Sequence, residues 1–199
     1  MTRPLILGLT GSIGMGKSTT AAMFAAEGIP VWDADAAVHR LYAPGGAAVA
    51  AVAALCPDAL DDGGIDRGAL KHWIASDDTA LARLEKAVHP LVARDRAAFI
   101  CKAREDGKSL VILDIPLLFE TGADAGCDQT LVVTASPEVQ QARVLARPGM
   151  TRVQLDSILA RQMPDAEKRA RATHVIETRT LDQTRADVRA LIQRLIPEE

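Results

Sequence analysis

The sequence predicts an α/β fold, a doubly wound, five-stranded parallel sheet. Three observations carry that prediction. Five short apolar runs lack polar alternation, helical stretches separate them, and a glycine-rich loop leads from the first run into the first helix. A parallel strand covered on both faces is apolar along its whole length, whereas a half-exposed strand alternates.

The first run covers residues 5–10. Residues 18–27 read as a helix that closes at Gly28, which takes the left-handed C′ conformation without a Cβ penalty. Residues 29–32 are the second strand. From residue 33 to 108 the chain is rich in alanine and shows no clear strand. Its helix signals are 45–55, 67–74 and 79–104, with a break expected at His89-Pro90. Residues 110–115 and 131–134 are the next strands. Between 137 and 146 a helix opens with Ser136 as N-cap, Pro137 at N1 and Glu138 in the first turn. Residues 174–177 are a weaker strand. In 181–195, Leu181, Val188, Leu191, Ile192 and Leu195 fall largely on one helical face.

Length and composition set limits. The 199 residues, 48% hydrophobic and 25% charged, suffice to bury a core without staples, and predict one domain over 1–199 with appendages. No apolar run approaches the roughly 18 residues of a membrane span, and the amino terminus has no cleavage-site pattern. Cys56, Cys101 and Cys127 are odd in number and lack Cys-x-x-Cys spacing. The expectation is a reduced, cytoplasmic protein without a membrane partner.

The formal net charge of −3 hides an asymmetry: residues 1–139 sum to −6 and residues 140–199 to +3. The basic excess lies between Arg143 and Arg171. A chain that is acidic overall and only 3% aromatic lacks the electrostatics and stacking rings that nucleic acid requires. The basic segment therefore reads as a local anion site, a solvated helical face being the plainer alternative.

Gly11-Ser12-Ile13-Gly14-Met15-Gly16-Lys17-Ser18-Thr19 satisfies G-x-x-x-x-G-K-[ST] and sits where the motif must sit, after a strand and before a helix. Gly11, Gly14 and Gly16 let the backbone curl so that successive N–H groups turn toward phosphate. The helix amino terminus adds its partial positive charge. Lys17 reaches the β- and γ-phosphates, and the Ser18 hydroxyl is a Mg²⁺ ligand. Thr19 presents a further N–H and hydroxyl. The expected nucleotide-binding set is Gly11, Gly14, Met15, Gly16, Lys17, Ser18 and Thr19, joined by Arg143 and Arg147.

The loop fixes a nucleotide site, not a reaction. The chain contains no asparagine and no Thr-Lys pair, so the Asn/Thr-Lys-x-Asp element by which GTPases read guanine is missing. A small-molecule kinase needs a carboxylate at the acceptor and cations for the migrating phosphoryl. Asp33, in Val31-Trp32-Asp33-Ala34-Asp35, stands at the carboxyl end of the second strand, the edge on which the phosphate loop opens, and is the candidate base. One of Asp33 and Asp35 is expected to cap the next helix, with Asp35 favoured. Asp114 resembles a carboxylate that holds Mg²⁺, an ordinary strand-end aspartate being the alternative. Arg143 and Arg147, four apart, begin a helix–turn–helix of about 140–165 that reads as a lid, with Arg147 placed to neutralise the transferred phosphoryl.

In combination these stretches resemble the dephospho-coenzyme A kinase family. The residues that carry the resemblance are the phosphate loop, Asp33-Ala34-Asp35, His89-Pro90-Leu91-Val92, Pro116-Leu117-Leu118-Phe119-Glu120, the lid arginines and Val175-Ile176, in family order over nearly the whole chain. The resemblance implies a P-loop kinase fold akin to nucleoside monophosphate kinases. It implies ATP and Mg²⁺ as donor system and the ribose 3′-hydroxyl of dephospho-coenzyme A as acceptor, in a monomer or small homo-oligomer. Asp33 would be the catalytic base, a helical insertion of about 60–105 would shape the acceptor site, and His89 would lie near it. Two departures stand out: Ser12 where glycine is frequent, and Glu177-Thr178 where the family's last strand ends in Asp-Asn. Two other readings remain: a related kinase with a nucleoside monophosphate or small metabolite as acceptor, and a nucleotide-binding module without turnover.

Overall fold

The structure is a computed structural model that describes residues 3–196. In chain order the elements are β1 (Leu5–Thr10), α1 (Lys17–Ala26), β2 (Val31–Asp33), α2 (Ala34–Tyr42), α3 (Val49–Leu55), β3 (Leu60–Asp61), β4 (Gly64–Ile65), α4 (Arg67–Ser76) and α5 (Ala80–Glu105). There follow β5 (Leu110–Asp114), β6 (Gln129–Thr134), α6 (Pro137–Leu145), α7 (Arg152–Leu159), α8 (Asp165–Arg171), β7 (His174–Glu177) and α9 (Leu181–Leu195). The chain divides into two compact units, residues 1–32 with 103–199, and residues 33–102.

The first unit is built on a five-stranded parallel sheet of order β2-β5-β1-β6-β7. Leu7 of β1 pairs with Ile112 on one side and Gln129 on the other, and Leu131 of β6 pairs with His174. Leu7, Leu9, Leu110, Ile112, Leu131 and Val133 are buried along the strands, with Phe24 from α1 and Val188 and Leu191 from α9 packed on them. A side chain buried as fully as Phe24 contributes about 1.5–3 kcal/mol, and the alternate positions Ile6, Val111, Leu113 and Val132 are buried as well, so the central strands are covered on both faces. Gly28, with φ 77°, follows the cap of α1 as expected. The second strand is shifted from the expected 29–32: Ile29 N still bonds back to Phe24 O of α1, and Pro30, which has no N–H to give, joins the sheet only through its carbonyl, which accepts from Ile112 N.

The second unit is mainly helical, with its own core of Leu41, Val52, Leu70, Leu84 and Val88. Two expectations fail in it. Helix α5 is not broken at His89-Pro90 but runs through Pro90. Proline inside a helix forfeits a backbone bond at a cost of about 3 kcal/mol. Here Leu84 and Val88 before it, and Leu91 and Val92 after it, join one apolar cluster, and that burial on both sides offsets the cost. The region also contains a strand pair. Leu60 pairs with Ile65 and Asp61 with Gly64 around Asp62-Gly63, whose φ values of 43° and 76° are both left-handed, the signature of a type I′ turn. Strands of two residues carry no readable periodicity. Among the described residues no helix is long and apolar enough to cross a membrane.

Candidate active site

The residues from Gly11 to Gly16 form the connection between the carboxyl end of β1 and the amino end of α1. Gly14 and Gly16 have φ of 79° and 91°. A Cβ on Gly11 would stand 2.6 Å from Val133 Cγ2, and one on Gly14 2.5 Å from Val144 Cγ2, so packing as well as conformation excludes side chains there. Ser12 is buried, and Asp62 is the one described non-glycine residue with positive φ. The serine therefore replaces a glycine without strain.

The loop is braced from three sides. Gln140 Nε2 of α6 donates to Ile13 O at 2.8 Å, and Ile13 N donates to Gln162 Oε1 at 3.1 Å. Thr178 Oγ1 donates to Met15 O at 2.8 Å and accepts from Arg143 Nη1 at 2.8 Å, while Arg143 Nη2 donates to Thr178 O at 2.8 Å. Met15 is buried under the loop, its sulfur accepting from Ala135 N at 3.0 Å. Sequence reasoning missed Gln140 and Gln162, and it marked Thr178 only as a departure from the family pattern, not as a partner of the loop. Each lies more than 120 residues from its loop partner, and no local pattern announces it.

Lys17 and Asp114 meet. Lys17 Nζ lies 2.5 Å from Asp114 Oδ1 at the end of β5, with the lysine side chain 15% and the aspartate side chain 2% exposed. Ser18 and Thr19 are exposed on the first turn of α1. Arg143 is half-buried and Arg147 exposed, and both line a 270 Å³ pocket with Gly14, Gly16, Thr19 and residues 178–181. Arg147 lies past the end of α6, in the turn toward Gly149, rather than on the helix face.

Asp33 ends β2, and its Oδ1 accepts from Ala36 N at 2.9 Å. It is thus Asp33 that caps α2, while Asp35 is exposed in the first turn, the reverse of the expected division. The chain leaves β2 extended at Asp33, with φ −107° and ψ 122°, which is the conformation a capping residue needs. The cap occupies Oδ1 only. His89 is exposed on α5 in the second unit.

Glu120 follows β5 and is tied into the first unit. Its Oε1 accepts from Met163 N at 2.8 Å and lies 2.8 Å from Lys168 Nζ, whose side chain is fully buried. Burial raises the carboxyl pKa, but the lysine and the backbone N–H groups outweigh it, so Glu120 titrates below its ordinary range. Among the described residues no group of three or more His, Cys, Asp or Glu side chains is arranged to hold a metal.

A phosphate loop, its lysine on a strand-end carboxylate and an arginine-lined pocket are common to many kinases. The family is decided by the chain as a whole: residues 5–183 match the family model for dephospho-CoA kinase. The chain belongs to the dephospho-CoA kinase family. A dephospho-CoA kinase of Cereibacter sphaeroides is 67% identical over 193 residues, 97% of this chain and 96% of the relative. One of Jannaschia sp. is 64% identical over 189 residues, 95% and 96% of the two chains. Among solved structures, a Thermus thermophilus protein is 38% identical and superposes with a TM-score of 0.85 over 98% of this chain and 100% of its own. The dephospho-CoA kinase of Campylobacter jejuni, at 18% identity, shares the fold with a TM-score of 0.68 over 99% and 100% of the two chains. As a member of the dephospho-CoA kinase family the chain is a kinase. Thr178, one of the positions at which the sequence departs from the resemblance, bonds to the loop carbonyl of Met15 and to Arg143.

Proposed function

We propose that the protein transfers the γ-phosphoryl group of ATP to the ribose 3′-hydroxyl of dephospho-coenzyme A, giving coenzyme A and ADP. The observation that carries this reading is the phosphate loop with Lys17 held on Asp114, in a chain of the dephospho-CoA kinase family. The loop's N–H groups and the amino end of α1 hold the phosphates, and Lys17 turns from Asp114 to the β- and γ-oxygens. The 270 Å³ pocket beside Gly14 and Gly16 accepts the nucleoside end, with Arg143 and Arg147 on its wall. Asp33, through the oxygen that does not cap α2, accepts the proton of the attacking hydroxyl. Arg147, exposed in its turn, offers a planar cation for charge that spreads over the transferred group.

Ser18 and Asp114 fit Mg²⁺. Both offer hard oxygen ligands, and a site without a three-carboxylate cage suits an ion that keeps waters and substrate phosphates in its shell. When bound, Mg²⁺ neutralises charge on the β- and γ-oxygens.

ADP release measured with dephospho-coenzyme A, with adenosine monophosphate and without acceptor tests the reading. Stimulation by dephospho-coenzyme A alone is the expected result. Stimulation by adenosine monophosphate instead would transfer the chain to a nucleoside monophosphate acceptor.

A further inference from the structure

Ile13, in the phosphate loop, has both of its peptide groups held by side-chain amides. Gln140 reaches its carbonyl from α6 at 2.8 Å, and Gln162 takes its N–H at 3.1 Å. Gln140 is buried on a regular helix, so its position needs no further support. Gln162 lies in the irregular joint between α7 and α8, where a long side chain would swing freely unless the main chain beside it were tied. It is tied at the next residue. Met163 N donates to Glu120 Oε1, and the fully buried Lys168 lies 2.8 Å from that same oxygen. A buried ion pair thus fixes the backbone from which Gln162 reaches the loop.

We propose that Gln162 is a positioning residue for the phosphate loop. Its amide oxygen takes the Ile13 N–H and so sets the Ile13 peptide, leaving the N–H groups of Gly14 and Gly16 for phosphate while Met15 N bonds Ser12 O at 3.1 Å. The Glu120–Lys168 pair stations it. A neutral amide is the side chain this task requires. Leucine at 162 would fill similar space but leave the Ile13 N–H without an acceptor, and glutamate would keep an acceptor oxygen while placing negative charge beside an anion site. The proposal rests on the reading that this loop binds ATP.

The test compares Q162L and Q162E with the wild type by amide hydrogen exchange at Ile13, KM for ATP, kcat and thermal midpoint. In Q162L, exchange at Ile13 accelerates and KM for ATP rises about five- to tenfold, the scale of one lost hydrogen bond. Q162E keeps exchange slow but raises KM for ATP, and added salt narrows that difference. Wild-type exchange and wild-type KM in Q162L would overturn the proposal. A lowered midpoint with KM and kcat unchanged would also overturn it, by reducing Gln162 to a structural contact. If the wild type failed to bind ATP, the proposed function would fall, while exchange at Ile13 would still decide whether Gln162 holds that peptide.

Discussion

Lys17 Nζ rests 2.5 Å from Asp114 Oδ1 at the end of β5. The loop lysine is therefore already held near the sheet edge rather than extended into solvent, and a nucleotide has only to exchange one anionic partner for another. The pair is nearly dry on the aspartate side, so removing one charge leaves the other poorly solvated. Lys17→Ala is expected to lower stability in urea unfolding and to abolish ADP release. Activity near wild type would remove the loop from the mechanism.

Asp33 carries two duties that substitution separates. Asp33→Asn preserves a capping oxygen for Ala36 N, so the thermal midpoint and ATP affinity stay near wild type while kcat falls by at least about 100-fold, the scale of a lost general base. Asp33→Ala loses the cap as well and unfolds about 1 kcal/mol more easily. Unchanged turnover in Asp33→Asn, measured by coupled ADP release, would leave Asp33 as a cap only.

Thr178→Val tests the knot beside Gly16. The valine fits the space of the threonine, but Met15 O loses its donor and Arg143 Nη1 the nearer of its two acceptors, Gly14 O remaining at 3.5 Å. The expected cost is about 1–3 kcal/mol of stability, together with weaker ATP binding in calorimetric titration. Thr178→Ser restores the hydroxyl and should recover most of the affinity.

Glu120 predicts an acid limb in the stability curve. Its pKa in the folded state lies below the ordinary value of 4.5, so the ionised form favours folding. That contribution is complete above the unfolded pKa and is lost as pH falls through the lower folded one. Unfolding midpoints from pH 7 down to pH 3 should therefore fall more steeply in the wild type than in Glu120→Gln. The variant itself is less stable at pH 7, because Lys168 is left buried without its anion. Parallel curves would assign the acid limb elsewhere.

The legible parts of this molecule were the contiguous ones. Gly11 to Thr19 could be read because strand, turn and helix follow one another in sequence, and Ser136-Pro137 could be read because a cap is local chemistry. Other features depended on distant parts of the chain. Ile13 and Gln162 are 149 residues apart, Met15 and Thr178 163, and neither pairing leaves a periodic trace. The division of labour between Asp33 and Asp35 turned on which residue stayed extended as the chain left β2, which composition does not encode. At Pro90 a sound local rule lost to an apolar cluster that spans both sides of the proline. The pair Asp61 and Gly64 escaped notice because two residues cannot display alternation, although Asp62-Gly63 between them is itself a turn signal.

Met15 gives the loop a chemical exposure of its own. Its sulfur is only as safe as the packing around it, at 3% relative exposure and 3.0 Å from Ala135 N. Burial slows attack by peroxide, so the sulfur oxidises faster whenever the loop lifts and exposes it. Oxidation of this one thioether is thus a clock for the breathing of the site, and ATP should slow it.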